Sequence, residues 1–305
     1  MMRQVKRSSV LALFGVLALT GLGGAARASA LDDALKYIPA DFTTVVALDV
    51  DALRSTALFG TLTGLVKDTG DLKALQQEAG FDWKKDVQTV VFAGPDELQK
   101  DDDRAVAVLG GRFDVKRLLS FFEKAGDKPK SKVVAGVTVY AVDRDAAVAF
   151  DGKFIVLGAA DLVDKAIAAK SGKNVTSGKL GALIKRFAGT KGGFAVFAAS
   201  KKAKDKLAKE MADLGTVEAG GMSFDAASGL VVKAVATFAT PKAAAGVVEG
   251  IKGGVKDAAS DPEMKELGIS AMAQKLTTKA DGKNVELGLK LETAEVKKLI
   301  ELLAE

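Results

Sequence analysis

The sequence predicts an α+β fold, with two similar sequential units of mainly antiparallel sheet covered by helices on one face. Three observations predict it. Strands alternate strictly: in "NVELGLKLE", Val285, Leu287, Leu289 and Leu291 face one way, and Glu286, Lys290 and Glu292 the other. A two-residue period with one polar face belongs to antiparallel sheet, not to a doubly wound parallel one. Amphipathic helical segments sit between the strands and supply a layer for the apolar face. The same order of elements also recurs, weakly, in the two halves of the chain.

Residues 1–30 read as a signal peptide. Arg3, Lys6 and Arg7 precede the short apolar core "VLALFGVLAL", and Ala28-Ser29-Ala30 places small residues at Ala28 and Ala30, where signal peptidase cuts. The chain is therefore expected to be exported, periplasmic or extracellular, and to continue from Leu31. Four of the 44 basic residues (Arg3, Lys6, Arg7, Arg27) lie in that segment and none of the 39 acidic ones does. The remainder is close to neutral, so the pI of 9.1 says little about the folded part. A nucleic-acid partner, which would need surplus Lys and Arg to neutralise phosphates, is not expected. No later stretch is apolar enough for an integral membrane span.

The first unit is expected over 31–170. "TTVVALDV" reads as a strand that passes into a helix carrying Leu58, Leu62, Leu65 and Val66 at helical spacing, with Asp51 where an N-cap belongs. "DVQTVVFAG" and "RAVAVLGG" are strands. "DVKRLLSFFEKAG" is a helix capped by Asp114, with Val115, Leu118, Leu119 and Phe122 as its stripe. "VTVYAV" and "AAVAFDGKFIVLG" are strands, the second folded at Asp151-Gly152, and "DLVDKAIAAK" is a helix capped by Asp161. The Gly-, Ser- and Lys-rich "KSGKNVTSGK" marks the boundary, and 171–190 is expected to be a linker and connecting helix.

The second unit, 191–305, repeats the order. "GGFAVFAAS" is a strand, and "KKAKDKLAKEMADL" is a helix with Ala203, Leu207, Met211 and Leu214 on one face. "GMSFD" and "GLVVKAVATF" are strands. Thr240-Pro241 opens a helix, with Pro where no amide hydrogen is needed. "DGK" recurs at 281–283 between two strands, and "TAEVKKLIELLAE" is a final helix capped by Thr293, with Val296, Leu299, Ile300 and Leu303 inward.

Pro39-Ala40-Asp41, the strand-to-helix passage "DVDALRS" and Gly111-Arg112-Phe113-Asp114 together resemble a loose class of exported, uncharacterised bacterial α+β proteins that open with a Pro-x-Asp strand. The resemblance implies an exported α+β protein. It transfers no catalytic residue.

The chain has no cysteine and no histidine. No Ser-His-Asp or Cys-His arrangement can be built, nor a zinc site of the usual ligands, and export brings no disulfides. No serine has a lysine three places on. "GMSFD" ends in Asp225 where a nucleophile elbow needs Gly, and "GKNVTSGKL" has the wrong spacing for a phosphate loop and ends in Leu180. Carboxylates remain. Asp49 and Asp51 sit two apart at the end of a strand, where capping explains them without chemistry. "DDDR" (101–104) reads as a solvated hairpin tip, Trp83 as packing at the rim of the sheet, and Asn174-Val175-Thr176 fits a glycosylation sequon.

The sequence thus predicts a non-catalytic binding or structural protein of the bacterial cell envelope, with no cofactor and no metal site. Its expected partner is another envelope or extracellular protein. Two alternatives stand beside it. A carrier of an apolar ligand between sheet and helices requires a continuous apolar cavity. A carboxylate-based hydrolase requires two carboxylates facing across a cleft, one with a raised pKa.

Overall fold

The computed structural model of the chain describes residues 28–56, 59–60, 63, 70–95, 104–125, 129–142, 144–210, 214, 216–225 and 229–304. Twelve strands form one antiparallel sheet. The first part of the chain gives β1 (Thr44–Asp49), β2 (Val87–Gly94), β3 (Val106–Gly111), β4 (Ser131–Val134), β5 (Val137–Ala141), β6 (Ala146–Asp151) and β7 (Phe154–Ala159). The second part gives β8 (Gly192–Ala198), β9 (Val217–Asp225), β10 (Leu230–Phe238), β11 (Thr277–Asp281) and β12 (Asn284–Leu291). Their order in space is β11-β12-β10-β9-β8-β1-β2-β3-β7-β6-β5-β4. The strands of the two expected units join in one sheet, because β1 pairs with β8 from Thr44↔Phe197 to Leu48↔Gly193.

Helices do not lie on one face only, as the sequence suggested. On one face α1 (Ala28–Leu35), α6 (Ala160–Ala169) and α7 (Gly181–Phe187) bury Leu35, Leu162, Ile167 and Ile184 against Val45, Val91, Val108, Val156 and Phe194. On the other, α3 (Gly70–Glu78), α4 (Trp83–Asp86) and α5 (Val115–Ala125) bring Ala79, Trp83 and Leu118 onto Leu48, Val90, Leu109 and Ile155. The reason is in the strands themselves. In β7, Phe154 and Val156 point to the α1 face, and Ile155 and Leu157 to the α5 face, so each side needs a cover.

Beyond β8 and the patch of β9 under Phe187, the second part is covered on the α5 face. There α8 (Lys201–Glu210) and α9 (Pro241–Ser260) set Leu207, Ala244, Val247 and Val248 against Phe238 and Val285. The short α10 (Pro262–Glu266) and α11 (Ile269–Ala273) follow, and α12 (Thr293–Ala304) packs Val296 beside Met272, Leu291 and Leu53. Strand β12 carries its leucines and Val285 toward these helices and its charged residues away from them, in the alternation read from the sequence; β10 turns Leu230 and Phe238 toward them and Lys233 away, with Val235 in the core on the other side.

Most helix starts are where capping chemistry puts them, with three corrections. Asp49, not Asp51, caps α2 (Val50–Arg54): its extended backbone lets a carboxylate oxygen accept from Ala52 N at 2.9 Å. Asp51 falls inside the first turn and pairs with Arg54. Asp161 does not cap α6: the helix starts at Ala160, so Asp161 falls inside its first turn and pairs with Arg104 at 2.6 Å, while the Ala160 amide donates to the Asp145 carbonyl at 2.9 Å. Thr293 is the first helical residue of α12, and the cap is made by Glu295, whose carboxylate accepts from Glu292 N at 2.8 Å. Asp114 and Thr240 cap α5 and α9 as expected, through Arg117 N and Ala243 N. Of the expected apolar stripes, Leu58, Leu62, Leu65 and Val66 lie outside the described residues, as do Met211 and the side chains of Phe122, Ile300 and Leu303.

The Gly-Arg-Phe-Asp stretch has a packing explanation. A Cβ on Gly111 would come within 2.1 Å of the Asp86 carbonyl, which accepts from Arg112 N at 2.9 Å. Phe113 stacks on Phe81 at 6.0 Å, and Asp114 starts α5. Substitution Gly111→Ala is expected to cost about 2 kcal/mol or more, read as a lower urea midpoint. The β4–β5 turn gives the opposite case. Ala135 is left-handed (φ 47°) beside Gly136 (φ 83°), the pattern of a type I′ turn. Ala135→Asn, which tolerates that conformation, is expected to stabilise by about 0.5–1 kcal/mol, and an unchanged or lower melting temperature would contradict this.

Candidate functional site

One lateral row of the sheet shows where its chemistry changes. On the α1 face the register lines up Lys132, Val139, Ala149, Val156, Val108, Val91, Ala47 and Phe194, from β4 across to β8. The same row continues as Ser223, Lys233, Gly288 and Thr277 on β9, β10, β12 and β11. Residues in one row are about 4.8 Å apart across the strands and point the same way. Everything from Val139 to Phe194 is buried under α1, α6 and α7. Beyond Phe194 the helices stop and the row turns polar.

This uncovered part forms an open trough of 1120 Å³. Its floor is the end of the row just described, and its wall is the C-terminal end of α7 with Gly189, Thr190 and Lys191. The wall stands where it does because Gly221 has no side chain: a Cβ there would meet Phe187 at 2.9 Å and the Ala195 carbonyl at 2.7 Å. Phe187 therefore lies flat on β9 and closes the apolar core. Thr190 Oγ donates to the Phe187 carbonyl at 2.6 Å and ties the loop down. Arg186, one residue from the end of α7, reaches across to Glu286 on β12 with Nη2 2.5 Å from Oε1.

The trough holds Arg186, Lys191, Lys233 and Lys279 against Asp225 and Glu286, with the hydroxyls of Thr190, Ser223 and Thr277 among them. Ser223 is 3% exposed at the base, whereas the three lysines are exposed. The Arg186 hydrogen bond, reinforced by its charge, holds the Glu286 carboxyl below its ordinary pKa. Glu286 is thus an anion already matched by Arg186, with Lys279 opposite it across the strand pair adding a weaker attraction, and among the described residues Lys191 and Lys233 form no ion pair.

The residues singled out in the sequence do not meet here. Asp49 and Asp51 are both spent at the strand-to-helix turn; Arg54, held by Asp51, also donates to the carbonyls of Lys84 and Val87 at 2.8 and 2.7 Å. Asp101, Asp102 and Asp103 lie outside the described residues. Trp83 is 7% exposed in the core, with Lys84 Nζ 5.6 Å from its ring. Asn174 accepts from Thr176 N at 3.1 Å and from its hydroxyl at 2.7 Å, and Val175 is buried, so the boundary stretch is packed against Ile38 and Pro39. Ala28 and Ala30 lie in the first turn of α1; residues 1–27 are outside the described residues. Among the described residues no three acidic side chains converge as metal ligands, and no helix is long and apolar enough to cross a membrane. Ser223 and Lys233 were read only as members of strands, and the row that joins them to Thr277 and Arg186 needs the pairing register.

No protein-family model and no curated protein matches the chain. Among solved structures it is similar to crystal form I of TP0453, at 8% identity and a TM-score of 0.47, over 88% of this chain and 96% of that one. At that level the likeness carries no inference about function.

Glu286 gives a pH test. A carboxyl whose folded pKa is depressed adds stability above its unfolded pKa, and loses it as pH falls through the folded value. The urea midpoint is expected to drop between about pH 6 and 3, and to drop less in Glu286→Gln than in the parent. An equal drop in both would show that the Arg186–Glu286 contact contributes nothing to the fold.

Proposed function

We propose that this chain is an exported, non-catalytic binding protein of the cell envelope that presents the open face of β9–β12 to another envelope or extracellular protein. One observation carries the reading. A helix layer covers both faces of the sheet from β6 to β8, and beyond Phe187 and Val235, which close the core over β9 and β10, the same sheet continues to its edge with one face open and lined by charged and hydroxyl side chains. A surface of this kind is stable without a cover because its outward residues are solvated, and it offers rigid, closely spaced groups to a partner. Export rests on the segment that ends at Ala28 and Ala30.

The strand order supports a duplication. Outward from the β1–β8 junction, β1-β2-β3-β7-β6 on one side corresponds to β8-β9-β10-β12-β11 on the other, with β4 and β5 added at one end. The two copies then differ in their last helix: α6 covers the α1 face and α12 the α5 face, which leaves the second copy open.

The two alternatives gain less support. A carrier would use space beneath α9, but Ala243, Ala244, Val247 and Val248 fill it against Phe238 and Val285. A hydrolase would place two carboxylates across a cleft with one pKa raised, whereas Glu286 in the trough is shifted the other way by Arg186.

The test is photo-crosslinking in the exporting cell. A benzoylphenylalanine in place of Lys233 is expected to give a discrete cross-linked species. The same group in place of Lys252, exposed on α9 on the opposite side, is expected to give none. No product from position 233, or equal products from both, would remove the case for this face.

A further inference from the structure

The cations of the trough are spread, and that spread says what would fill it. Lys191 stands on the wall, Lys233 on β10 and Lys279 on β11. Strands β10 and β11 are separated by β12, so two of these lysines are rooted about 10 Å apart across the sheet. A single small anion would have to draw both flexible side chains in to one point, whereas a chain of anionic groups meets each ammonium where it stands. The volume of 1120 Å³ also exceeds the ~300–1,000 Å³ typical of sites for one small molecule.

The lining separates the classes of polyanion. Phe187 is the aromatic residue of the lining, and it is 4% exposed. Recognition of sugars or bases draws on open aromatic faces for stacking, and this trough offers none among its lining residues. It offers ammonium groups and hydroxyls over a flat β floor, which suit carboxylates borne on an extended backbone. An extended segment presents every second side chain to one side, about 7 Å apart, on a scale set by the same strand geometry as the floor.

We propose that the trough docks an extended acidic segment of a partner protein, with Lys191, Lys233 and Lys279 receiving its carboxylates and Arg186 held in place by Glu286. The inference rests on the reading of this chain as a binding protein.

The test is fluorescence anisotropy of labelled octaglutamate with the purified protein at low ionic strength. Octaglutamate is expected to bind, and octaglutamine is not. Affinity should fall as salt rises, because these exposed lysines are screened once the Debye length shrinks toward ~8 Å. The triple variant Lys191→Glu, Lys233→Glu, Lys279→Glu is expected to weaken binding about tenfold or more. The remote pair Lys252→Glu, Lys256→Glu should change it by less than about twofold. If the triple variant melts early, Lys233→Glu and Lys279→Glu are measured singly, and each should still weaken binding.

Equal loss in the remote pair, equal binding of octaglutamine, or no effect of the trough variants overturns the proposal. A sulfated heparin octasaccharide that binds tighter than octaglutamate, with the same dependence on the three lysines, overturns it in favour of an anionic glycan. If octaglutamate fails while the photo-reactive group at position 233 still captures a partner, the acidic assignment falls and the binding face stands. If both fail, both fall.

Discussion

The pairing of β1 with β8 is the contact on which the rest of the architecture depends. Strand β1 is the first in sequence and lies near the middle of the sheet, with β2 on one side and β8 on the other. Almost 150 residues separate Ala47 from its partner Phe194, so the ladder closes only after the whole first part of the chain has been made. Both faces of β1 are buried: Val45 and Ala47 lie on the α1 face, and Leu48 on the α5 face. Buried on both faces, β1 would leave its second row of backbone N–H and C=O groups unpaired away from water if no strand lay beside it. The second part of the chain supplies the missing neighbour, and with Phe194, Val196 and Val235 it completes the same core. Two units with separate cores would have needed a second apolar face on β9–β12, and those strands do not have one.

Helix α1 locks this core from the N-terminal side. Leu35, Tyr37 and Ile38 are buried, and the Tyr37 hydroxyl donates to Asp151 at 2.8 Å, which also receives Lys170 from the end of α6 at 2.6 Å. Burial is the larger cause, and the Asp151 contact the next, of a phenol pKa pushed well above its ordinary value, so the proton stays on Tyr37 and the hydrogen bond keeps one direction. The chain then crosses to β1 through Pro39, which pairs with Asn174, and Val175 N donates to the Ile38 carbonyl at 2.7 Å. The segment that joins the two halves is therefore fastened to the segment that begins the first.

Much of this was legible in the sequence, and the failures have physical causes. The strands of the second part declared themselves by alternation, since Val285, Leu287, Leu289 and Leu291 pack inward while Glu286 and Lys290 do not. The two-sided cover of the first part was also written there. "TVVALD" and "VAVLGG" are near-continuous apolar runs, the mark of strands buried on both faces, and averaging them with alternating strands hid it. Strand β4 was missed because "SKVV" is short and mostly exposed, with Val133 70% exposed, as an edge strand allows. Asp51 and Asp161 failed by two positions each, since the caps of α2 and α6 fall at Asp49 and Ala159, the ordinary uncertainty of a helix end. The trough was not legible at all. Its residues come from α7, β9, β10, β12 and β11, and only the register that sets Ser223 opposite Lys233 and Lys233 opposite Gly288 brings them together.

The open face follows from where each half ends. After β7 the chain meets a strand apolar on both sides, and α6, with Leu162, Val163, Ala166 and Ile167 inward, has an apolar α1 face to cover. After β12 it meets a strand that is apolar on one side only. A final helix whose inward residues include Val296 and Leu299 buries them where Leu289 and Leu291 are, on the α5 face, and would strand them over Glu286 and Lys290 if it turned the other way. The choice of face for α12 is thus fixed by the polar residues of β12, not by the connection that precedes it. The same residues that refuse a helix make the surface: the charges that keep β9–β12 uncovered are the charges left to meet something else.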